Sequence, residues 1–113
     1  MLIEKVEMVK KWAMDLNVNI LLKNPTDIIA SADGQFCINQ AGNAGLTSGG
    51  TGDVLSGLVG SLIARGLSLY DAARIGAHIL CKAGEDLFEQ KGYSYTATDL
   101  ALQLPYTIKG LLS

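Results

Sequence analysis

The chain lacks any run of apolar residues near the ~18 that a membrane-spanning helix needs, and no single sign of charge dominates its 113 residues. Nine Lys and Arg against eleven Asp and Glu leave a net charge of −2, and the lysines are scattered. Nucleic-acid binders draw affinity from clustered Lys and Arg, so that class is excluded along with membrane proteins. Cysteine is scarce: Cys37 and Cys81 stand far apart, without C-x-x-C spacing or a His cluster, which argues against a zinc site or a disulfide framework. The first residues carry Glu4, Lys5, Glu7, Lys10 and Lys11 rather than a signal-peptide pattern. The expectation is a soluble cytoplasmic protein with reduced thiols. There is no internal repeat and no low-complexity tract.

What is present is apolar residues in quantity. They make up 49% of the chain, and the mean hydropathy is +0.27, high for a small soluble domain, so some surface is expected to lie against another chain. Leu2, Val6, Val9, Ala13 and Leu16 recur at helical spacing with charged residues on other faces, an amphipathic helix that Asn17 ends. Residues 18–23 have the composition of a buried strand, and Asn24-Pro25 punctuates the chain after them. Residues 27–32 and 35–39 read as two more strands joined by Asp33-Gly34, a two-residue hairpin signal.

Three helical segments follow a glycine tract. Gly66 suits a left-handed cap for the first, Ser68 with Asp71 starts the second, and Gly92 stops it. Thr96 or Thr98 caps the third, which Pro105 interrupts or kinks. Trp12, with Met8 and Met14 nearby, is expected to be a packing residue rather than a stacking platform, and His78, alone on an apolar helix, to be a packed or partly exposed residue rather than a ligand. Tyr93 and Tyr95 suit a loop over a site or an ordinary anchor. A strand feeding a glycine loop that opens a helix is how α/β proteins place sites at strand ends. Three strands are few for this much helix, so the chain reads as one domain that is half of a larger α/β unit, with residues 18–23 an edge seeking further strands.

The chemistry concentrates in Gly49-Gly50-Thr51-Gly52-Asp53-Val54-Leu55-Ser56-Gly57. After Asp53 the apolar residues Leu55, Leu58, Val59, Leu62 and Ile63 mark one helical face, so a helix begins near Thr51 or Gly52. Its unpaired N–H groups and dipole attract anionic oxygens, and glycines let a phosphate approach the backbone. Asp53 would repel that phosphate unless it meets a proton-bearing hydroxyl or a metal. The stretch is not a Walker loop, because Thr51 stands where the lysine would be, nor a dinucleotide fingerprint. Lys23, at the end of an apolar strand, suits a phosphate partner or a solvated strand end; Asp27 and Asn43 suit turns.

The string from Asn43 to Gly57, with Leu21-Leu22-Lys23, Asp27-Ile28-Ile29-Ala30, Asp33-Gly34 and Ala64-Arg65-Gly66-Leu67-Ser68, resembles the C-terminal part of the NAD(P)H-hydrate dehydratases of the ribokinase-like superfamily, often called carbohydrate kinases. The resemblance implies a partial ribokinase-like fold and nucleotide-dependent dehydration of NAD(P)H hydrate, a cofactor repair, with ADP or ATP and Mg²⁺. It implies Asp53 as the base that contacts the hydrate, with Gly50 and Gly52 supplying an anion hole. Nucleotide-binding positions would be Lys23, Asn24, Pro25, Thr26 and Asp27, then Asn43, Ala44, Gly45, Leu46, Thr47, Ser48, Gly49, Gly50, Thr51 and Gly52. No dedicated metal cage is visible. Asn24 stands where the family usually has glycine, and Ala44 where proline is common. The family's domain is more than twice as long, so a second copy or a separate N-terminal-half chain is the expected partner. Two other readings stay open: a small-molecule kinase of the same superfamily, and a non-catalytic nucleotide-binding or oligomerising module.

Overall fold

The computed structural model describes residues 1–40, 44–47 and 49–112. It is an α/β arrangement of three antiparallel strands followed by helices. Helix α1 (Leu2–Leu16) leads into β1 (Ile20–Leu22), β2 (Thr26–Ala30) and β3 (Phe36–Gln40), and then α2 (Thr51–Ala64), α3 (Leu69–Lys91) and α4 (Ala97–Leu111). The strands lie in sequence order, with Leu21 opposite Ile29 and Ile29 opposite Cys37.

Strand β2 is the anchored one because side chains alternate across a strand and both of its faces are covered. Ile28 and Ala30 pack with Val6, Val9 and Ala13 of α1, while Ile29 packs with Ala73 and Ala77 of α3. Full burial of Ile28 and Ile29 contributes about 1.5–3 kcal/mol each, whereas β1 is half-exposed along its length and, among the described residues, has a neighbour on one side only. A second core joins the helices through Leu46, Leu55, Leu80, Leu87, Tyr95 and Leu100. Small residues on α3 permit the close approach of α2: a Cβ on Gly76 would lie 2.8 Å from Val59 Cγ2.

Local signals end the helices where expected. Asn17 closes α1 in the left-handed conformation at φ 56°, and Gly66, at φ 102°, donates to the Ile63 carbonyl beyond α2. Ser68 accepts from the Asp71 N–H, but the Asp71 carboxylate turns to Arg74 instead of reaching back.

The structure corrects four expectations. The first and second strands are narrower than residues 18–23 and 27–32. Instead of a two-residue turn at Asp33-Gly34, the five residues 31–35 separate β2 from β3, with the Ser31 N–H bonded to the Gln35 carbonyl and the Gly34 N–H to the Ser31 carbonyl. Gly34 stands at φ 96°, so the turn uses its freedom one step beyond a tight two-residue reversal. Helix α4 continues through Pro105. Trp12 is not interior: it is 48% exposed, with Met8 and Met14 exposed as well, because α1 buries only the Val6, Val9 and Ala13 stripe.

Thr96 caps α4 in a full capping box: it accepts from the Asp99 N–H at 3.1 Å, and its own N–H donates to the Asp99 carboxylate at 3.0 Å. Replacing Thr96 with alanine is expected to cost about 1 kcal/mol in denaturant or thermal unfolding. The Thr96 N–H, and then Lys91, hold the Asp99 carboxyl below its usual range. A depressed carboxyl stabilises the fold above its unfolded pKa and loses that contribution as pH falls through the folded value. The dependence of Tm on pH below about 4 should therefore flatten in Asp99→Asn; an unchanged slope would remove Asp99 from acid sensitivity.

Candidate active site at the start of helix α2

The chain leaves β3 and reaches α2 through a short 3-10 turn, Ala44–Thr47. Gly50 is the N-cap of α2 at φ 89°, a conformation that a side chain strains. A Cβ there would also stand 3.0 Å from the Ala97 Cβ at the start of α4. Glycine thus lets two helix starts meet. The N–H groups of Asp53 and Val54 both donate to the Gly50 carbonyl, at 3.1 and 3.2 Å. The Gly52 N–H has no partner among the described residues, and nothing lies within 4 Å of a Cβ placed on Gly49 or Gly52. The site combines an unpaired donor, the positive end of a helix dipole and open space, the elements of an anion site.

Two buried side chains hold the preceding turn. The Thr51 hydroxyl donates to the Leu46 carbonyl at 2.7 Å, so this side chain clamps the turn. Tyr95, 3% exposed, lies against Gly45 and Gly84, where any Cβ would press on its ring or hydroxyl. Of the two expected roles for Tyr95, the structure shows the anchor. Tyr93 is exposed and packs on Phe88 with ring centroids 4.7 Å apart.

Asp53 is exposed and makes no ion pair or side-chain hydrogen bond among the described residues. It stands at one end of a groove of about 590 Å³ between α2 and α4, lined by Val54, Leu58, Ala101, Leu104 and Ile108. On the other flank of the helix start, Gly52 and Lys23 line one cavity of about 770 Å³ between β1 and α2, with Leu21, Leu55, Ser56 and Val59. The structure thus brings Lys23 and Gly52 together, and puts Asp53 on the ridge beside them.

Lys23 is an exposed residue at the end of β1, and it is ion-paired. Its Nζ lies 3.1 Å from Asp27, which is fully buried on β2 and also accepts from the Asn24 N–H at 3.2 Å. Pro25 is exposed and Thr26 opens β2. Asn43 and Ser48, and the side chains of Ala44 and Thr47, lie outside the described residues. Sequence reasoning missed Asn39, whose Nδ2 donates to Asp27 at 3.4 Å and to Cys81 Sγ at 3.2 Å. The available signal was a polar residue at an inward-facing position of an alternating strand. Cys37 and Cys81 are free thiols, and burial pushes the Cys81 thiol up, so it stays protonated as the Asn39 acceptor. Tyr70, behind β3, is pushed up to about 12 by burial and then by Cys37. Among the described residues no three His, Cys, Asp or Glu converge in a metal-binding group, and no helix is long and apolar enough to cross a membrane.

Known proteins resemble this chain in sequence and fold. The profile of the NAD(P)H-hydrate dehydratase family matches residues 2–106. A bifunctional NAD(P)H-hydrate repair enzyme of Moorella thermoacetica is 37% identical over 96% of this chain and 21% of its own length. An ADP-dependent (S)-NAD(P)H-hydrate dehydratase of Cenarchaeum symbiosum is 39% identical over 93% of this chain and 36% of its own length. Among solved structures, the ADP/ATP-dependent NAD(P)H-hydrate dehydratase of Bacillus subtilis, co-crystallised with ATP/Mg²⁺, superimposes with a TM-score of 0.78 at 26% identity, covering 96% of this chain and 40% of that one. The chain therefore spans about a fifth to two fifths of the length of these relatives. By this match, and with the helix-start geometry in place, the chain belongs to the NAD(P)H-hydrate dehydratase family.

Proposed function

We propose that these residues form the nucleotide-side half of an NAD(P)H-hydrate dehydratase site, the C-terminal half of a ribokinase-like domain. The observation that carries the reading is a Gly52 N–H with no partner among the described residues at an open helix start, one residue before an exposed carboxylate that likewise has no partner among them. A helix start alone binds anions; an acid beside it makes chemical sense where a hydroxyl attacks a phosphoryl group. Asp53 takes the proton of the ring hydroxyl as the hydroxyl oxygen bonds to the terminal phosphorus of ADP or ATP and the phosphoanhydride bond to the departing AMP or ADP breaks. The backbone N–H groups of Gly50 and Gly52 stabilise the charge on the transferring group. The phosphate then leaves together with a ring proton, and the nicotinamide double bond returns. Mg²⁺ bound with the nucleotide would supply charge neutralisation at its phosphates.

Strand β1 supports a domain that extends past it. Among the described residues it is an edge strand, and the apolar cavity beside it holds Lys23 and Gly52 on its wall. Further strands, from the same polypeptide or another chain, pair with β1 and close the cavity over the nucleotide. The test is turnover of NADH hydrate with ADP or ATP and Mg²⁺, by the chain alone and with the remainder of the domain supplied. Recovery of NADH with phosphate release is the expected result; a stable phosphoester product would make the protein a small-molecule kinase.

Exposed apolar residues favour a second reading. Trp12, Leu16, Leu102 and Tyr106 are between 48% and 72% exposed, which suits a self-associating module. A mass that rises with concentration, with no nucleotide-induced rise in Tm, would select it.

A further inference from the structure

Lys23 is held by a carboxylate that solvent does not reach. Asp27 accepts from Lys23 Nζ at 3.1 and 3.5 Å, from the Asn24 N–H at 3.2 Å and from Asn39 Nδ2 at 3.4 Å. Asn39 is its register partner on β3, and its amide also reaches Cys81 Sγ on α3. The donors come from the β1–β2 turn and from the neighbouring strand, so both sides of the carboxylate are fixed. A buried charge is tolerated only when paired and hydrogen-bonded in this way. Asp27 is not on the wall of the cavity between β1 and α2, whereas Lys23 and Gly52 are. It therefore reaches a ligand there only through Lys23.

We propose that Asp27 is a positioning residue: it holds the Lys23 ammonium beside the cavity that Gly52 also lines, so that cation and helix-start N–H face one polyphosphate. Asn39 fixes the carboxylate that does the holding. This rests on the nucleotide reading above and changes the expected role of Asp27, from a group that touches nucleotide to one that acts through another. A lysine on a free four-carbon stem loses rotamer freedom when it engages an anion, and one already ordered loses less. The carboxylate also offsets part of the lysine charge. These two effects have opposite signs in Asp27→Asn, so binding measurements separate them.

The experiment is calorimetric titration of ADP into the full chain, with the remainder of the domain where turnover requires it, across Lys23→Ala, Asp27→Asn and the double variant. Asp27→Asn is expected to weaken binding about fivefold or more when Lys23 is present, and less than about twofold when it is alanine. Equal losses in both backgrounds would mean that Asp27 serves only the fold, and tighter binding in Asp27→Asn would mean that it merely opposes phosphate; either result overturns the proposal. If Asp27→Asn does not fold, Asn39→Ala carries the same test with a smaller Lys23-dependent loss expected. In ligand-free protein, Lys23 should be reductively methylated more slowly than exposed Lys5 and should speed up in the Asp27 or Asn39 variant. An unchanged rate overturns the positioning role. Wild-type protein that binds no ADP overturns the nucleotide reading itself, and the methylation rates still decide whether Asp27 holds Lys23.

Discussion

Asp53→Ala is expected to lower turnover of NADH hydrate by about 10²–10⁴-fold, the usual contribution of a positioned general base, with little change in folding. The carboxylate is exposed, pairs with nothing among the described residues, and supports the fold only through the α2 dipole. That support is about 0.3–1 kcal/mol at a surface site. Nucleotide binding should survive or tighten, because the substitution removes a negative charge one residue from the anion-binding N–H. The combination to look for is a collapsed kcat, an unchanged or lower ADP dissociation constant, and a Tm within a few degrees of wild type. A variant with normal kcat would take Asp53 out of the chemistry. One that also loses nucleotide affinity would assign it to binding through a metal.

Gly45→Ala should be the most damaging change in the glycine tract, although the residue adds a single methyl group. That methyl would overlap the Tyr95 ring, which is buried in the helical core with Leu46, Leu80, Leu87 and Leu100. The far end of the ring already lies against α3, its hydroxyl 3.0 Å from the point that a Cβ on Gly84 would occupy. Overpacking of this kind costs about 1–3 kcal/mol, which for a domain of this size lowers Tm by about 4–8 °C per kcal/mol. The turn carrying Gly45 is bonded to the start of α2 through Thr51 and Leu46, so ADP affinity should fall with stability. Gly49→Ala is the control, since nothing lies within 4 Å of its Cβ. Equal melting temperatures for the two variants would remove the Tyr95 contact as the reason for glycine at position 45.

Features set by neighbours along the chain were legible in advance. The stripe of Val6, Val9 and Ala13, the helix start at Thr51, the left-handed cap at Gly66, the stop at Gly92 and the Thr96 cap each depend on residues within about one helical turn. The same stripe failed at its ends. Leu16 has helical spacing but is 68% exposed, and the core beneath α1 takes in only Val6, Val9 and Ala13 from this helix. Trp12 was misread for a related reason: periodicity says which residues share a face, and only the packed neighbours say how wide a face is covered.

The residue string alone therefore determined the element order, the family resemblance and the chemical character of the site, a glycine-opened helix start beside an acid. Those are local, since φ preferences, caps and dipoles act over a few residues. Only the tertiary structure decided that Lys23 shares a cavity with Gly52, that Asp27 and Asn39 meet behind it, that Tyr95 sits under Gly45, and that α4 begins against Gly50. Each of these pairs residues distant in sequence or from separate elements. Their contact follows from which faces stack in the sheet and helical cores, a many-body packing outcome that no short window of the chain encodes.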